Sequence, residues 1–151
     1  FRLANVVGPR NVAGPLPIFY QRLKDGKQCF VTKSRRDFVF VKDLAQIVLK
    51  ACDGVGHGAY HFSSGSDVAI AELFDSVVAA IGIELDEQVE VRPRNADDAF
   101  TILLDPSKTH EQFPGWTADT PLDEGVARAI AYYREFGIEE TYTHLHMPDD
   151  E

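Results

Sequence analysis

Short apolar stretches and longer amphipathic stretches follow one another along this chain, and each kind predicts a different element. Brief runs rich in β-branched and aromatic residues predict strands at residues 1–7, 28–32, 38–41 and 59–63, with extended segments at 90–94 and 102–105. Apolar residues at helical spacing predict helices at residues 17–24, 44–51, 70–81 and 106–112, and a last long helix that opens at Pro121 and Leu122. Because strands alternate with helices, the chain is predicted to have a mixed α/β fold.

Polar residues beside these runs predict how the helices begin. Asp43 and Asp105 each precede a helical run and are predicted to be N-caps. Ser66 or Asp67 is predicted to cap the helix at residues 70–81 in the same way. The strand at residues 1–7 is apolar enough to be predicted as part of the core.

The composition is that of a globular protein with one sizeable domain. Its 151 residues are 44% hydrophobic and 26% charged. The net charge of −9 argues against nucleic-acid binding, which needs a basic face, but it leaves room for a local basic pocket. No apolar run has the length of a membrane span. The two cysteines, Cys29 and Cys52, are predicted to be buried free thiols in a reducing compartment.

Two arginines stand immediately before the aromatic strand at residues 38–41. Arg35 and Arg36 are followed by Asp37, and the strand leads directly into a helix. An anion bound near that edge would meet a planar guanidinium that is always charged. The alternative is that both arginines are solvated and that Asp37 is a surface charge.

Other residues suggest chemistry that their context argues against. Gly54, Gly56 and Gly58 follow a helix and precede a strand, which is the wrong order for a loop that cradles a dinucleotide. His144 and His146 alternate near an acidic tail, but exposed imidazoles are the simpler interpretation. We therefore predict no catalytic residue and no metal site in this chain.

Five short motifs occur in order along the chain. They are Arg2-x-x-Asn5-Val6-x-Gly8-Pro9-Arg10, Arg36-Asp37-Phe38-x-x-Val41-x-Asp43, Gly58-x-Tyr60-His61-Phe62-Ser63-Ser64-Gly65, Asp105-Pro106-Ser107-Lys108 and Pro121-Leu122-x-Glu124-Gly125. In this order they resemble the C-terminal half of the extended short-chain dehydrogenases that act on nucleotide sugars, the NAD-dependent epimerases and 4,6-dehydratases. The resemblance covers nearly all of the chain.

The resemblance implies an α/β fold made of the last strand or strands of a Rossmann-type parallel sheet and a smaller mixed α/β substrate-binding domain. Residues 1–10 would end the dinucleotide-binding domain, residues 11–137 would form the nucleotide-sugar-binding domain, and residues 138–151 would be a polar C-terminal tail that frays. The rest of the dinucleotide-binding domain, with its glycine-rich turn, would precede Phe1.

The family's acid-base pair, a Tyr and a Lys four residues later, would also precede Phe1. Tyr20 and Lys24 have this spacing, but they follow the Asn5 strand, whereas the family's pair comes before it. We therefore predict that they lie on a helix beside the substrate loop, with Tyr20 partly in the core.

The resemblance also implies how the substrate is held. Asn5 would face the substrate near its diphosphate, and Arg36 would pair with the diphosphate. Cys29, Phe30 and Val31 would lie against the base and contact it through backbone groups, which can offer both a donor and an acceptor to uracil.

A second group of binding residues is implied near residue 95. Arg94 would grip phosphate, and Asp97 or Asp98 would accept hydrogen bonds from the ribose hydroxyls. The distance from Arg94 favours Asp97, whereas the distance to Asp105 and Lys108 favours Asp98. Both alternatives stay open at this point.

The function implied by the resemblance is that of the substrate-binding half of an NAD-dependent nucleotide-sugar 4-epimerase, with a UDP-sugar as the first choice of substrate. NAD would be bound mainly by the N-terminal half, so this chain alone is expected to be inactive without that half or another chain. The full-length enzyme is expected to be a cytoplasmic homodimer of polysaccharide biosynthesis. The alternatives are a 4,6-dehydratase and a non-catalytic module that binds a nucleotide sugar.

Overall fold

The structure, a computed structural model, describes residues 1–143 of the 151-residue chain. Its helices are α1 (Pro15–Lys24), α2 (Val41–Cys52), α3 (Ile70–Ile81), α4 (Ser107–Gln112) and α5 (Leu122–Phe136). Its strands are β1 (Arg2–Leu3), β2 (Asn5–Val7), β3 (Phe30–Thr32), β4 (Arg35–Arg36), β5 (Phe38–Phe40), β6 (His61–Phe62), β7 (Val68–Ala69), β8 (Glu90–Arg92) and β9 (Thr101–Ile102). The mixed α/β fold predicted from the sequence is confirmed.

Parallel pairing joins most of these strands. β1 pairs with β6, β2 with β5, and β3 with β8, all in parallel. β4 is the centre of a three-stranded sheet, in which it runs parallel to β9 and antiparallel to β7. Parallel neighbours require a long crossover between them, so this pairing brings together residues that are far apart in the sequence.

Helix α3 follows the prediction from its apolar spacing. It spans Ile70–Ile81 and ends at Gly82, which adopts a left-handed conformation with φ of 76°. Its N-terminus differs from the prediction, because the carboxylate of Glu72 accepts the Ala69 N–H at 2.6 Å. The prediction that Ser66 or Asp67 caps this helix is therefore wrong.

Helix α2 begins earlier than its sequence predicts. It starts at Val41, directly after β5, so Asp43 lies in its first turn and is not its N-cap. The Asp43 carboxylate instead accepts hydrogen bonds from the backbone N–H and the hydroxyl of Thr120, at 3.2 and 3.0 Å. A partner 77 residues away has replaced the local cap, and it ties α2 to the chain just before α5.

Helix α4 starts one residue later than predicted, so Pro106 occupies its N-cap position and the predicted cap, Asp105, lies just before it. The Asp105 carboxylate accepts the backbone N–H of Ser107 at 2.9 Å and its hydroxyl at 2.6 Å. These two bonds lower the pKa of Asp105 below its ordinary value.

The main hydrophobic core lies among α1, α3, α5 and two of the strands. Its buried members are Val7, Leu16, Phe19, Tyr20, Val31, Ile70, Leu73, Phe74, Val77, Val126, Ala129, Ile130 and Tyr133. Tyr20 is only 4% exposed and packs on Tyr133 with ring centroids 5.1 Å apart, in line with its predicted place in the core. A smaller cluster around Ile47, Phe62 and Trp116 lies beneath β5 and β6.

Three predictions about exposure need correction. Residues 1–7 are split between β1 and β2, and of these residues only Val7 is buried. Cys29 and Cys52 are free thiols, but Cys29 is half-buried and Cys52 is exposed on α2. In the described part of the predicted tail, residues 138–143, the backbone of Tyr142 bonds to residues 12 and 14, so this part does not simply fray; His144 and His146 lie outside the described residues.

Candidate functional site

A cavity of about 320 Å³ opens between the start of α1 and the strands β3, β4 and β5. We call it the first cavity. It is lined by Asn5, Ala13, Gly14, Pro15, Ile18, Phe19, Phe30, Thr32, Ser34, Arg36, Phe38, Ile70, Asp98, Tyr142 and Thr143. The polar side chains come mainly from β3, β4 and the loop before β9, and most of the apolar ones come from α1 and its preceding loop. A ligand with one polar and one apolar side would match this arrangement.

Asn5 is fixed at the edge of the first cavity by the pairing of β2 with β5. Its backbone N–H and its side-chain amide both donate to the carbonyl oxygen of Asp37, each at 3.0 Å. Because β2 pairs in parallel with β5, Asn5 lies opposite Phe38, which also lines the cavity. Two stretches of chain more than 30 residues apart thus form one wall.

The charged wall of the first cavity is built by Arg36. Its Nη2 donates to Asp98 Oδ1 at 2.7 Å, and its Nη1 donates to the carbonyl oxygens of Arg35 at 2.8 Å and Ala99 at 3.0 Å. The Arg36 side chain is 14% exposed and that of Asp98 is 28% exposed, so this ion pair is partly shielded from solvent.

Two hydroxyl groups form a chain of hydrogen bonds that ends on the Asp98 carboxylate of this ion pair. Ser34, which is 2% exposed, donates to Asp98 Oδ2 at 3.2 Å. Thr32 in turn donates to the Ser34 hydroxyl at 3.2 Å. Each oxygen of the Asp98 carboxylate therefore has its own donor in the wall of the cavity.

Arg94 and the two candidate carboxylates lie in the loop between β8 and β9. The Arg94 guanidinium donates to the carbonyl oxygens of Asn95 and Asp98. Asp98 lines the first cavity, whereas Asp97 is exposed and is not among the lining residues. The geometry thus brings Asp98, and not Asp97, beside Arg36.

The resemblance implies that Cys29, Phe30 and Val31 lie against a base, but the structure places the three side chains in different surroundings. Phe30 lines the first cavity, and the Arg92 guanidinium stacks over its ring, 4.1 Å from the centroid. Val31 is 1% exposed and belongs to the main core. Cys29 lines a different cavity. Its contact with a base through backbone groups, like that of Phe30 and Val31, stays a prediction.

This second cavity has a volume of about 350 Å³ and lies among the end of α1, the residues just before β3, α3 and the segment that leads into β8. It is lined by Leu23, Lys27, Gln28, Cys29, Phe74, Leu85, Asp86, Glu87, Gln88, Val89 and Glu90. Burial raises the pKa of the Cys29 thiol above its ordinary value, and the nearby Arg22 partly opposes that rise. Three of its lining residues are acidic and one is basic.

The aspartate after Arg36 has a structural role. Asp37 is fully buried, and its carboxylate accepts from the hydroxyls of Ser63 at 2.5 Å and Ser64 at 2.6 Å. The idea that Asp37 is a surface charge is therefore wrong. Arg35 points to different partners, because it pairs with Asp67 at 2.9 Å and lowers the pKa of that carboxyl.

Several cavity residues could not be found from the sequence. Ser34 and Thr32 precede the two arginines, but nothing in the local sequence indicates that their hydroxyl groups bond to each other and to Asp98. Tyr142 and Thr143 come from the far end of the described chain. The backbone N–H of Tyr142 donates to Val12 O at 2.9 Å, and its carbonyl oxygen accepts from Gly14 N at 3.0 Å.

Two other kinds of feature, a cluster of possible metal ligands and a membrane-spanning helix, are absent from residues 1–143. Within that range, no three His, Cys, Asp or Glu residues come together as a group that could hold a metal ion. No helix of the same range is long and apolar enough to cross a membrane.

Comparison with known proteins finds similar sequences and folds. The sequence model of the NAD dependent epimerase/dehydratase family matches residues 1–62. Among curated proteins, CDP-abequose synthase of Salmonella muenchen is 22% identical over 147 residues, a match that covers 86% of this chain and 46% of that protein.

Several solved structures share the fold. The Bordetella bronchiseptica enzyme WbmH in complex with NAD⁺ is 64% identical with a TM-score of 0.85, and the match covers 91% of this chain and 45% of that one. WbmG of the same organism, in complex with NAD and UDP, is 38% identical with a TM-score of 0.85, covering 97% and 47%. UDP-glucose 4-epimerase of Thermotoga maritima with UDP-glucose is 27% identical with a TM-score of 0.77, covering 89% and 45%. The chain therefore spans about half the length of the proteins that it matches.

Proposed function

This chain belongs to the NAD-dependent epimerase/dehydratase family, and we propose that it is the substrate-binding part of a UDP-sugar 4-epimerase. In this proposal the chain holds the nucleotide diphosphate, and the remainder of a longer enzyme holds NAD and supplies the Tyr/Lys acid-base pair. Residues 1–10 would complete the dinucleotide-binding domain, residues 11–137 would form the substrate domain, and residues 138–151 would follow as a tail.

The charged wall of the first cavity is the observation that carries the proposal. Arg36 lines the cavity, and Arg94 belongs to the loop that Arg36 contacts. A diphosphate concentrates negative charge over a short span, and guanidinium groups bind it more strongly than neutral donors do. The chain as a whole has a net charge of −9, whereas in the first cavity Arg36 balances the charge of Asp98, so an anion is repelled less there.

The rest of the first cavity suits the other parts of a nucleotide sugar. Asn5 would contact the substrate near the diphosphate, and the carboxylate of Asp97 or Asp98 would accept from the ribose hydroxyls. The backbone of residues 29–31 would meet the uracil, with Phe30 beside it. The UDP-bound structure of WbmG, which is 38% identical to this chain, supports the choice of UDP over other nucleotides.

The residues of this chain do not fit a seat for the NAD pyrophosphate. Such a seat needs a glycine turn between a strand and a helix. Here β5 runs directly into α2 at Phe40 and Val41, with no glycine between them. The two glycines between β2 and α1, Gly8 and Gly14, are too far apart, with no other glycine between them, for the spacing of a dinucleotide-binding turn. When bound elsewhere in the enzyme, NAD would supply hydride transfer at the sugar, and this chain would contribute binding and orientation only. We therefore expect the chain to be inactive by itself.

The proposal extends to the whole enzyme. We expect the full-length protein to be a cytoplasmic homodimer that makes nucleotide sugars for polysaccharide biosynthesis. A 4,6-dehydratase and a non-catalytic module that binds a nucleotide sugar are the alternatives.

Titration calorimetry with UDP tests the binding part of the proposal. The 151-residue chain is expected to bind UDP, and Arg36→Ala is expected to weaken that binding. An absence of binding by the parent chain would contradict the proposal. For the reaction, a longer protein that contains this sequence is assayed with UDP-glucose; UDP-galactose is the product expected of an epimerase, and a 4-keto-6-deoxy sugar is that of a dehydratase.

A further inference from the structure

The loop between β8 and β9 is organised around one residue, Asp98. Its Oδ1 accepts from Arg36 at 2.7 Å and its Oδ2 accepts from Ser34 at 3.2 Å. Its main-chain carbonyl accepts from the Arg94 guanidinium, and its N–H donates to Asn95 O at 3.1 Å. Every polar group of Asp98 thus has a protein partner, and two of those partners are arginines.

We propose that Ser34, acting through Asp98, is a positioning residue for the two arginines, Arg36 and Arg94, that the proposed function assigns to the diphosphate. This inference rests on the proposed function and deepens it. The Asp98 carboxylate pairs with Arg36 and the Asp98 main-chain carbonyl accepts from Arg94, so one residue contacts both guanidinium groups. A carboxylate whose rotation about the Cβ–Cγ bond is restricted holds its arginine partner in one orientation as well, because hydrogen bonds are directional.

The burial of Ser34 is what restricts that rotation. At 2% exposure its hydroxyl cannot be solvated, so it stays bonded to Asp98 Oδ2 at 3.2 Å. Thr32 donates to the same Ser34 oxygen and directs its hydrogen towards Asp98, because one hydroxyl has only one hydrogen to donate. The relay from Thr32 to Ser34 to Asp98 therefore fixes the carboxylate plane from the protein side.

Arg36 links this fixed carboxylate to further residues of the loop between β8 and β9. Besides Asp98, its guanidinium donates to the carbonyl oxygens of Ala99 at 3.0 Å and Phe100 at 3.4 Å. If the carboxylate turns, Arg36 loses its charged partner and keeps only its contacts with the carbonyl oxygens of Arg35, Ala99 and Phe100. Asp98, which holds Arg94 through its main-chain carbonyl, then loses its side-chain contact with β4. Without Ser34, both proposed phosphate contacts would become less well oriented.

The test compares a ligand that has phosphates with one that lacks them. Binding of UDP and of uridine is measured by calorimetry and by NMR titration for the parent chain and for Ser34→Ala. Because a hydrogen bond to a charged group is lost, Ser34→Ala is expected to weaken UDP binding about three- to tenfold. Uridine affinity is expected to fall by a smaller factor than UDP affinity, since uridine shares the ribose that Asp98 would contact but has no phosphate for the arginines to hold.

A matched control and a rescue variant accompany this test. Ser66→Ala removes an exposed hydroxyl outside the first cavity and is expected to leave both affinities unchanged. Ser34→Cys has nearly the same size and keeps a weak donor, so it is expected to lose less UDP affinity than Ser34→Ala. Should Ser34→Ala melt below the temperature of the assay, the same comparison of UDP with uridine is made with Ser34→Cys.

The outcomes separate this inference from the proposed function. If the parent binds UDP and Ser34→Ala binds it equally well, or if UDP and uridine weaken by the same factor, the positioning role is wrong. If the parent chain does not bind UDP, the proposed function itself fails. A selective loss of UDP affinity supports both.

Discussion

The first and the second cavity have similar volumes but different charge. The first measures about 320 Å³ and the second about 350 Å³, so size does not distinguish them. The formal charges of the first cavity balance, because Arg36 in its wall pairs with Asp98, whereas the lining of the second has Asp86, Glu87 and Glu90 against the single cation Lys27. An anionic ligand would be repelled from the second. Charge, and not volume, therefore identifies the candidate site.

The two cavities also differ in how they are held. The first depends on polar contacts between distant segments, such as those of Asp37 with the turn at residues 63–64. The second lies between the main core and residues 85–90, where Phe74 and Leu23 supply apolar surface. Substitutions in the polar scaffold should therefore damage the first cavity more than the second.

The largest expected effect is on stability, from loss of the buried carboxylate of Asp37, whose sequence neighbours Arg36 and Phe38 line the first cavity. Asp37→Asn keeps the shape but removes a buried charge that accepts from Ser63 and Ser64. We expect the free energy of unfolding to fall by about 2–4 kcal/mol, measured by urea denaturation. Asp75→Asn, at an exposed position on α3, is the control and should change it by less than about 0.5 kcal/mol. Equal stability of the two variants would contradict this account of Asp37.

The next largest effect distinguishes the two cavities by ligand binding. Arg36→Ala is expected to weaken UDP binding by about tenfold or more, because a charge-assisted contact contributes about 1.5–3 kcal/mol. Lys27→Ala removes the cation of the second cavity and is expected to change UDP affinity by less than about twofold. Calorimetry on both variants measures these affinities. A larger loss for Lys27→Ala than for Arg36→Ala would contradict the assignment of UDP to the first cavity.

A smaller effect is expected from the aromatic residue at the first cavity. Tyr142 lines the cavity, and its backbone is anchored to residues 12 and 14, although it is 67% exposed. Tyr142→Ala is expected to lower UDP affinity about two- to tenfold, since an aromatic contact contributes about 0.5–1.5 kcal/mol. Tyr142→Phe should bind nearly as well as the parent chain. Leu85→Ala in the second cavity serves as the control, and an equal loss there would count against the aromatic contact.

The smallest effect concerns Cys29, which lines the second cavity. Because burial raises the pKa of its thiol, less thiolate is present near neutral pH than for an ordinary thiol. We expect iodoacetamide to alkylate exposed Cys52 first and Cys29 slowly, with the Cys29 rate still rising above the usual thiol pKa. The proposal brings UDP to the backbone of Cys29 and not to its thiol in the second cavity, so saturating UDP should slow alkylation of Cys29 only slightly, as followed by mass spectrometry. Strong protection by UDP would mean that the ligand reaches the second cavity.

The sequence predicts the fold best where the periodicity is local. The apolar spacing of residues 70–81 predicts helix α3 to the residue, and Gly82 marks its end. Asp43 shows where such reasoning stops, because a good N-cap residue directly before an apolar run predicts a cap. In the folded chain its carboxylate binds Thr120, 77 residues away, and no local pattern reports a partner at that distance.

Prediction of the candidate site has the same limit, because its contacts join residues that are far apart in the sequence. The resemblance to a known family directs attention to Arg36, but its ion pair with Asp98 joins positions 62 residues apart. The choice between Asp97 and Asp98 could not be made from spacing, since it depends on which carboxylate the loop turns towards the cavity. Ser34 and Tyr142 had no signal at all, because a buried hydroxyl and a backbone-anchored aromatic residue become meaningful only once the strands are paired.

A UDP titration of the ¹⁵N-labelled 151-residue chain, followed by NMR chemical shifts, tests the central claim most directly. The account predicts that the shifted amides cluster around the first cavity, at Asn5, Ser34, Arg36 and Asp98. Shifts centred on residues 85–90, or no shifts at saturating UDP, would contradict it.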